Sequence, residues 1–292
     1  MSLHENILAN LEGFSLAKYS TWFFYGPDRL LFDCGEGVST TMGNRIYAVE
    51  RILLSHGHGA HVAGLPGFLY SRASSMGDTS KPLAIYFPRG DGMIGKLRRY
   101  IEQILPNPPF QLTWHEIDDS AEIDLGVPDR LIRCFKTDHL PRGLTLGYAI
   151  VERRNRLKPE FANLAQAEIV RIVREKGREH LTAEYAKNLV VYSGDSSALA
   201  PRVAEEAEVL LHEATFLDAT ERDQGGHATV AEALRTAVEA GARSVLLFHL
   251  STRYQRKAAK EAIEKAIQDE RVSIPVYYTF PRGLPTHFVK VQ

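Results

Sequence analysis

The sequence has little cysteine and no long apolar run. Cys34 and Cys134 are its only 2 cysteines in 292 residues, which is too few for a disulfide-rich secreted domain. No apolar stretch approaches the ~18 residues of a membrane-spanning helix, and no secretory signal pattern is visible. We therefore expect a cytoplasmic protein with reduced thiols and no contact with a membrane.

Excess charge of one sign is also missing. The chain has 35 Lys and Arg against 36 Asp and Glu, for a formal net charge of −1, so no overall field attracts nucleic acid, although a local basic face remains possible. Repeats, low-complexity tracts and Pro/Gly/Ser-rich linkers are absent as well. Because 44% of the residues are hydrophobic, the chain can bury a large core, and we expect a single domain over residues 1–292.

Short apolar runs alternate with helical patterns, which predicts an α/β fold with sheets covered by helices. Strands are predicted near residues 21–25, 29–33, 51–54, 83–87, 111–117, 130–136, 145–151, 188–193, 208–212, 243–249 and 286–291. Helices are predicted near residues 62–73, 91–104, 160–176, 198–206, 228–241 and 254–269. The segment 152–187 is charged and helix-prone, and we expect it to form either a solvated helical surface or a helical arm-like insertion.

Three histidines stand close together in the stretch SHGHGAH, directly after a predicted strand. His56 and His58 are two residues apart on an extended segment, so their side chains point the same way, and a helix starting at His61 would bring a third imidazole to the same rim. Neutral imidazole is a preferred ligand of Zn²⁺. Further polar groups end other predicted strands, namely Asp33, His139, Asp195 and His249. We therefore expect a metal site at these strand ends.

The chain resembles metallo-β-lactamase-fold hydrolases and, within that superfamily, the ribonuclease Z family. The resemblance is carried by the histidine cluster and by the stretches GLPG at 64–67, HEATF at 212–216, GHAT at 226–229 and FHLSTRY at 248–254. It implies a four-layer αββα sandwich and a site for two Zn²⁺ ions, with Mn²⁺ or Fe²⁺ as alternatives. The implied ligands are His56, His58 and His139 for one ion, His61 and His249 for the other, and Asp195 between both.

The same resemblance implies roles for three residues that do not hold the metal. Asp33 would orient a ligand from behind, since ligating imidazoles usually donate their other N–H to a carboxylate or carbonyl. His227 would stabilise or protonate the leaving oxygen, and Glu213 would orient His227. The implied reaction is phosphodiester cleavage by a metal-bound hydroxide, as in tRNA 3′ processing, and the implied assembly is a homodimer.

One position departs from the family pattern. The family has an aspartate where this chain has Ala60, and a methyl group can neither bind a metal nor accept a proton. The second metal would then be held more weakly and catalysis would be impaired. An engineered alanine, a natural pseudoenzyme and a natural one-metal variant all explain the change. We favour engineering, because every other ligand position matches the pattern.

Three hypotheses about the substrate remain open. A phosphodiesterase acting on precursor tRNA would need a basic face, for which Arg153, Arg154, Arg156 and Lys158 are candidates. A hydrolase of small esters, lactones or β-lactams fits the near-zero net charge and an arm segment that lacks the Gly/Pro-rich composition usual in bacterial ribonuclease Z. A catalytically inactive binding homologue would fit a natural Ala60.

Overall fold

Alternating and continuous apolar runs form two β-sheets in the computed structural model, which describes residues 1–74, 77, 80–222, 225–279 and 288–291. The strands of the first sheet are β1 (Leu11–Leu16), β2 (Ser20–Tyr25), β3 (Leu30–Phe32), β4 (Arg51–Leu53), β5 (Leu83–Pro88) and β6 (Leu112–Ile117). They lie side by side in chain order; β1 to β3 pair antiparallel, and β3 to β6 pair parallel.

The second sheet is formed by the later part of the chain. Its strands are β7 (Glu122–Val127), β8 (Arg130–Lys136), β9 (Leu146–Leu157), β10 (Thr182–Tyr192), β11 (Val209–Glu213), β12 (Val245–Phe248), β13 (Val276–Tyr278) and β14 (Val289–Lys290). Within the described ranges the strand order is β14-β13-β12-β11-β10-β9-β8-β7, and β10 to β13 are parallel.

Nine α-helices occur within the described residues. They are α1 (Leu3–Ala9), α2 (Val38–Met42), α3 (Gly59–Val62), α4 (Leu65–Ser74), α5 (Gly92–Ile104), α6 (Gln166–Lys176), α7 (Arg178–Leu181), α8 (Val230–Glu239) and α9 (Arg256–Asp269). Short 3₁₀ helices span Gly26–Asp28, Gly43–Ala48, Pro159–Phe161, Pro201–Ala204 and Ala219–Glu221. None of these helices is both long and apolar enough to cross a lipid bilayer.

Three apolar clusters separate the layers. Phe32 of β3 and Tyr192 of β10 belong to the central cluster, so the two sheets pack against each other. Residues of α2, α4 and α5 pack on the outer face of the first sheet, and residues of α8 and α9 pack on the outer face of the second. Each sheet thus buries both faces, which explains why β2 and β12 are buried along their whole length without alternation. The expected four-layer αββα sandwich is confirmed.

Several elements differ from the sequence-based expectations. The predicted helix at 198–206 is wrong: Pro201 begins a 3₁₀ turn that ends at Ala204, and Glu206 then takes a left-handed φ of 47°. Strands β1, β7 and β13 and helices α1, α2 and α7 were not predicted. The strand predicted at 286–291 is present as β14, while residues 286 and 287 lie outside the described residues.

The segment 152–187 contains more strand than its composition predicts. Residues up to Leu157 continue β9, and residues from Thr182 begin β10, so the two strands form a long antiparallel ribbon. Helices α6 and α7 lie between them, and no side chain of α6 is buried. Paired backbone groups along the ribbon outweigh the helical preference of the charged residues at its two ends.

Candidate metal centre

The first ligand set lies where three strands end. His56 and His58 follow β4, His139 follows β8, and Asp195 follows β10. These four side chains each offer a ligand atom, and the atoms lie within 4.8 Å of one another. His139 Nε2 is 3.2 Å from His58 Nδ1. The sequence therefore brings together residues that are 139 positions apart at most, as the strand-end pattern predicted.

A second ligand set shares Asp195 with the first. It consists of His61, on α3, and His249, which follows β12. Asp195 Oδ2 lies 3.2 Å from His61 Nε2 and 3.4 Å from His249 Nε2. The same oxygen is 3.9 Å from both His56 Nε2 and His139 Nε2. Asp195 is therefore placed between the two groups of histidines.

The donor atoms suit a divalent metal. Three of them, His56 Nε2, His61 Nε2 and Asp195 Oδ1, are buried and make no hydrogen bond within the described part of the chain. Buried polar atoms are normally paired, and an atom left unpaired calls for an ion or water. Imidazole nitrogen together with carboxylate oxygen is the donor combination of zinc and related transition metals. The cluster is thus suited to divalent metal binding.

Burial controls the protonation of most of these ligands. It lowers the pKa of His56, His58 and His139, and it lowers the pKa of His249 to about 3. The neutral imidazole that results is the form that binds metals. Burial also acts to lower the pKa of His61, but the carboxylates of Asp195 and Asp33 outweigh it and raise this pKa to about 10.

Asp33 binds the ring nitrogen of His61 that points away from Asp195. Its Oδ2 accepts hydrogen bonds from His61 Nδ1 at 2.6 Å, Ser55 Oγ at 2.8 Å and Tyr192 Oη at 2.5 Å, while its Oδ1 accepts from Ser55 N at 2.7 Å. Asp33 is fully buried and takes a left-handed φ of 54°, which is unfavourable for a residue with a side chain. This backbone turn aims the carboxylate at His61 and leaves His61 Nε2 directed toward Asp195.

Two of the three histidines of the first set are also held through a ring nitrogen. His139 Nδ1 lies 2.8 Å from the carbonyl oxygen of Gly226, to which it donates. His56 Nδ1 lies 3.0 Å from Ser55 Oγ. Gly226 has a φ of 82°, and an added Cβ there would stand 2.2 Å from the carbonyl oxygen of His139, so only glycine permits this contact.

Glu213 and His227 form a hydrogen-bonded pair beside the ligands. His227 Nδ1 lies 2.9 Å from Glu213 Oε1. The His227 ring stacks on the His249 ring with centroids 5.4 Å apart, and its centroid is 4.7 Å from that of His139. Burial raises the pKa of Glu213, and the charge and hydrogen bond of Glu213 outweigh burial to raise the pKa of His227. His227 can therefore carry a proton at the edge of the cluster.

Ala60 lies immediately before His61 on α3 and is 9% exposed. Its methyl group offers neither a lone pair nor an exchangeable proton. The backbone around it is nonetheless well anchored, because the carbonyl oxygen of His61 accepts from Cys34 N at 2.8 Å. The ligand set around Asp195 is thus assembled without a carboxylate at position 60.

The basic residues expected to bind substrate lie elsewhere. Arg153, Arg154 and Arg156 are on the outer part of β9. At about 3.3 Å per residue, Arg153 is roughly 20 Å along the strand from Leu146, which marks the end beside the ligands. Arg154 pairs with Glu152, Arg156 lies over the Tyr185 ring, and Lys158 Nζ donates to the carbonyl oxygen of His180. The structure does not bring this group into the metal centre.

Sequence reasoning did not single out four residues that shape the site. Ser55 and Tyr192 both donate to Asp33, Gly226 accepts from His139, and Thr215 contacts Glu213. Each of them lies within or next to a stretch that had been singled out, such as HEATF or GHAT. Their position beside residues with chemical roles was the available signal, but which partner each one meets depends on the tertiary fold.

No family model matches the chain. It is 34% identical over 252 residues to ribonuclease Z of Natronomonas pharaonis, with 78% of this chain and 79% of the relative covered. It is 31% identical over 272 residues to ribonuclease Z of Lactococcus lactis, with 81% and 83% covered.

Solved structures show the same fold. The metallo-β-lactamase fold protein YhfI from Bacillus subtilis superposes with a TM-score of 0.61 at 19% identity, over 94% of this chain and 98% of that one. The short form of human tRNase Z superposes with a TM-score of 0.58 at 23% identity, over 83% and 93%.

Fold and site together define the class: the protein is a metal-dependent hydrolase with the metallo-β-lactamase fold. Its relatives narrow this further, because identities above 30% extend over most of both chains. The chain belongs to the ribonuclease Z family. The resemblance inferred from the motifs is thereby confirmed.

Proposed function

We propose that this protein cleaves phosphodiester bonds in RNA, with the 3′ trailer of precursor tRNA as its substrate. The observation that carries the proposal is the Glu213–His227 pair, whose 2.9 Å hydrogen bond holds the His227 imidazole against the metal centre. Cleavage of a phosphodiester releases an alkoxide, and such a leaving group needs a proton donor at this place. The curated relatives named ribonuclease Z support the choice of substrate.

We propose two zinc ions at the centre, with Mn²⁺ or Fe²⁺ as alternatives. His56, His58, His139 and Asp195 would hold one ion, and His61, His249 and the shared Asp195 would hold the other. Bound ions would supply Lewis acidity toward a phosphoryl oxygen and would lower the pKa of water. Asp33 keeps His61 in the tautomer with Nε2 free, since its carboxylate accepts from His61 Nδ1.

His227 acts as the general acid in this proposal. Its Nδ1 is held by Glu213, so the remaining nitrogen, Nε2, is available to a substrate oxygen. Glu213 is itself fixed, because Ser196 N, Ala228 N and Thr215 N all donate to its carboxylate. A carboxylate with this many donors holds the ring in one orientation and favours its protonated form.

Ala60 weakens this machinery in our proposal. Among the described residues, the second ion would have His61, His249 and the shared Asp195 as ligands, and position 60 would offer no carboxylate to accept a proton from the attacking water. We therefore propose that this chain binds its second ion less tightly than a chain with aspartate at position 60, and that it turns over substrate more slowly.

The outer basic residues would contact distant parts of a long substrate. Arg153, Arg154, Arg156 and Lys158 lie too far along the ribbon to touch a small molecule in the metal centre, but RNA phosphates can reach both places. We also propose a homodimer in the cytoplasm. The two buried free cysteines agree with a reducing compartment.

The test compares substrates of different size and chemistry. The zinc-loaded protein and its Ala60→Asp variant are incubated with precursor tRNA, bis-p-nitrophenyl phosphate, and panels of lactones and β-lactams. We expect cleavage of precursor tRNA at the 3′ trailer, faster for Ala60→Asp. Hydrolysis of the lactones or β-lactams with inert RNA would overturn the proposal in favour of a small-molecule hydrolase. Inertness of both proteins, with no bound metal, would identify a binding homologue.

A further inference from the structure

The hydroxyl of Thr215 stands at the junction between the metal ligands and the acid pair. Thr215 Oγ1 lies 2.9 Å from Glu213 Oε2, 2.9 Å from His249 Nδ1 and 3.1 Å from His227 Nδ1. The residue is 7% exposed, so water competes little for these contacts. One small side chain therefore touches a candidate ligand, the candidate acid and the carboxylate that orients the acid.

The direction of these hydrogen bonds follows from the neighbours. His249 Nε2 faces Asp195 at 3.4 Å and must be free of a proton to bind a metal, so Nδ1 carries the proton and donates it to Thr215 Oγ1. The Thr215 hydroxyl then donates to Glu213 Oε2, because an ionised carboxylate can only accept. His249 is in this way connected to Glu213, which holds His227 through its other oxygen.

The backbone of His249 does not fix its ring by itself. His249 has a left-handed φ of 61°, and its N–H donates to Ser15 Oγ at 3.0 Å. These features set the path of the chain after β12 but leave the side-chain torsions free. Among the contacts of Nδ1 in the described residues, the hydroxyl of Thr215 is the one that defines the ring orientation and tautomer.

We propose that Thr215 is a positioning residue that couples ion binding at His249 to the orientation of His227. Its hydroxyl fixes His249 as a ligand and at the same time completes the set of donors that holds Glu213 toward His227. The part that concerns His227 rests on the proposed function, whereas the part that concerns ion binding does not.

Substitution by valine isolates the hydroxyl. Valine has nearly the shape of threonine, and the backbone N–H of residue 215 still donates to Glu213 Oε2, as it does now at 2.8 Å. Thr215→Ser keeps the hydroxyl and serves as the conservative variant. Thr236→Val is a matched control, because Thr236 is also buried and its hydroxyl donates to a single backbone carbonyl, that of Leu199, at 3.1 Å.

The first measurement is Zn²⁺ and Mn²⁺ binding by competition with a chelator. We expect Thr215→Val to lower the affinity for the ion at His61, Asp195 and His249 about 10- to 100-fold, the usual range for a residue that hydrogen-bonds a metal ligand. The affinity for the ion at His56, His58 and His139 should be unchanged. Thr215→Ser and Thr236→Val should match the parent. Parental affinity of Thr215→Val for both ions would overturn the proposal.

The second measurement is the tautomer of His249 from ¹⁵N NMR of the zinc-loaded protein. We expect the Nδ1–H signal to shift or broaden in Thr215→Val and to stay in place in Thr215→Ser; an unchanged signal in both would contradict the proposal. Should Thr215→Val fail to fold, Thr215→Ala is measured in the same way with the same expectation. Absence of RNA cleavage by the parent would refute the proposed function. The metal affinities and the His249 tautomer would still test the role of Thr215 in ion binding.

Discussion

Asp33 Oδ2 accepts a hydrogen bond from His61 Nδ1 at 2.6 Å, and both side chains are fully buried. This contact joins the end of β3 to helix α3 and sets which nitrogen of His61 faces Asp195. Asp33 also accepts from Ser55 and Tyr192, so one carboxylate links both sheets to the metal centre. The stability of the fold and the geometry of the site therefore depend on the same residue.

Asp33→Asn should lower both the stability of the fold and the affinity of the site for metal. An amide keeps the shape but turns one acceptor into a donor that faces the donors of Ser55, Tyr192 and His61, at a cost of about 1–3 kcal/mol for each buried group left unpaired. We expect a lower free energy of unfolding in urea and an affinity for the ion at His61 reduced about 10- to 100-fold. Asp119→Asn, at an exposed position, is the control. Equal values for the parent and Asp33→Asn would refute the role of Asp33.

Ala60→Asp should restore the missing ligand. We expect tighter binding of the second ion, measured by metal content after dialysis against a weak chelator, and a higher rate of phosphodiester cleavage. Ala60→Asn is the matched control, because it has nearly the same size but no negative charge and is a weaker ligand. If Ala60→Asp gains neither metal nor rate, the interpretation of Ala60 as a disabled ligand position fails.

His227→Asn and Glu213→Gln should lower turnover without releasing metal. Loss of a general acid typically costs 10²–10⁴-fold, so we expect a decrease of about that size in kcat for RNA. The decrease should be much smaller for bis-p-nitrophenyl phosphate, whose leaving group needs no proton. Metal content serves as the control measurement. Equal losses on both substrates would argue against proton donation by His227.

Much of the site could be predicted from the sequence because its chemistry is concentrated at strand ends. His56, His58 and His61 are close along the chain, and Asp33, Asp195 and His249 each follow an apolar run that is a strand in the structure. The motifs HEATF, GHAT and FHLSTRY narrowed the class of protein further. Residues such as Thr215 and Tyr192 could not be assigned in this way, since their partners are 34 and 159 positions away.

The fold was predictable to a similar extent and for similar reasons. Strands with both faces buried are apolar over most or all of their length, as in β12 and in the first three residues of β11. Strands β6 and β7 are partly exposed and more polar, and only β6 was predicted. The outer halves of β9 and β10 are charged, because they form a ribbon that extends beyond the core, so their composition indicated helix rather than strand.

The outer basic residues should matter only for long substrates. We expect Arg153→Glu with Arg156→Glu to weaken binding of precursor tRNA and to reduce its dependence on salt, since each phosphate contact contributes to the salt slope. Hydrolysis of bis-p-nitrophenyl phosphate should be unchanged, because both residues lie well away from the metal centre. Reversal at Arg98 and Arg99 on α5 is the matched control. An unchanged affinity for RNA would remove the basic group from the proposed interface.

Acid should destabilise the fold in part through His212. This fully buried residue donates from Nδ1 to the carbonyl oxygen of Glu213 at 2.7 Å, and its Nε2 accepts from Leu199 N at 3.1 Å. Both contacts need the neutral ring, and burial lowers the pKa of His212 to about 4 from the ordinary value of 6.5. Between pH 4 and pH 6.5, His212 therefore binds a proton in the unfolded chain but not in the folded chain.

The sign of the effect follows from this difference. The stabilisation is complete above pH 6.5 and declines as the pH falls toward 4, with a slope of at most about 1.4 kcal/mol per pH unit from this one proton. We expect His212→Gln to be less stable at pH 7 but to lose stability more gradually between pH 6.5 and pH 4.5, as measured by urea unfolding of parent and variant in the same buffers. Parallel curves would mean that His212 takes up its proton equally in both states and that its buried contacts do not exclude the charged ring.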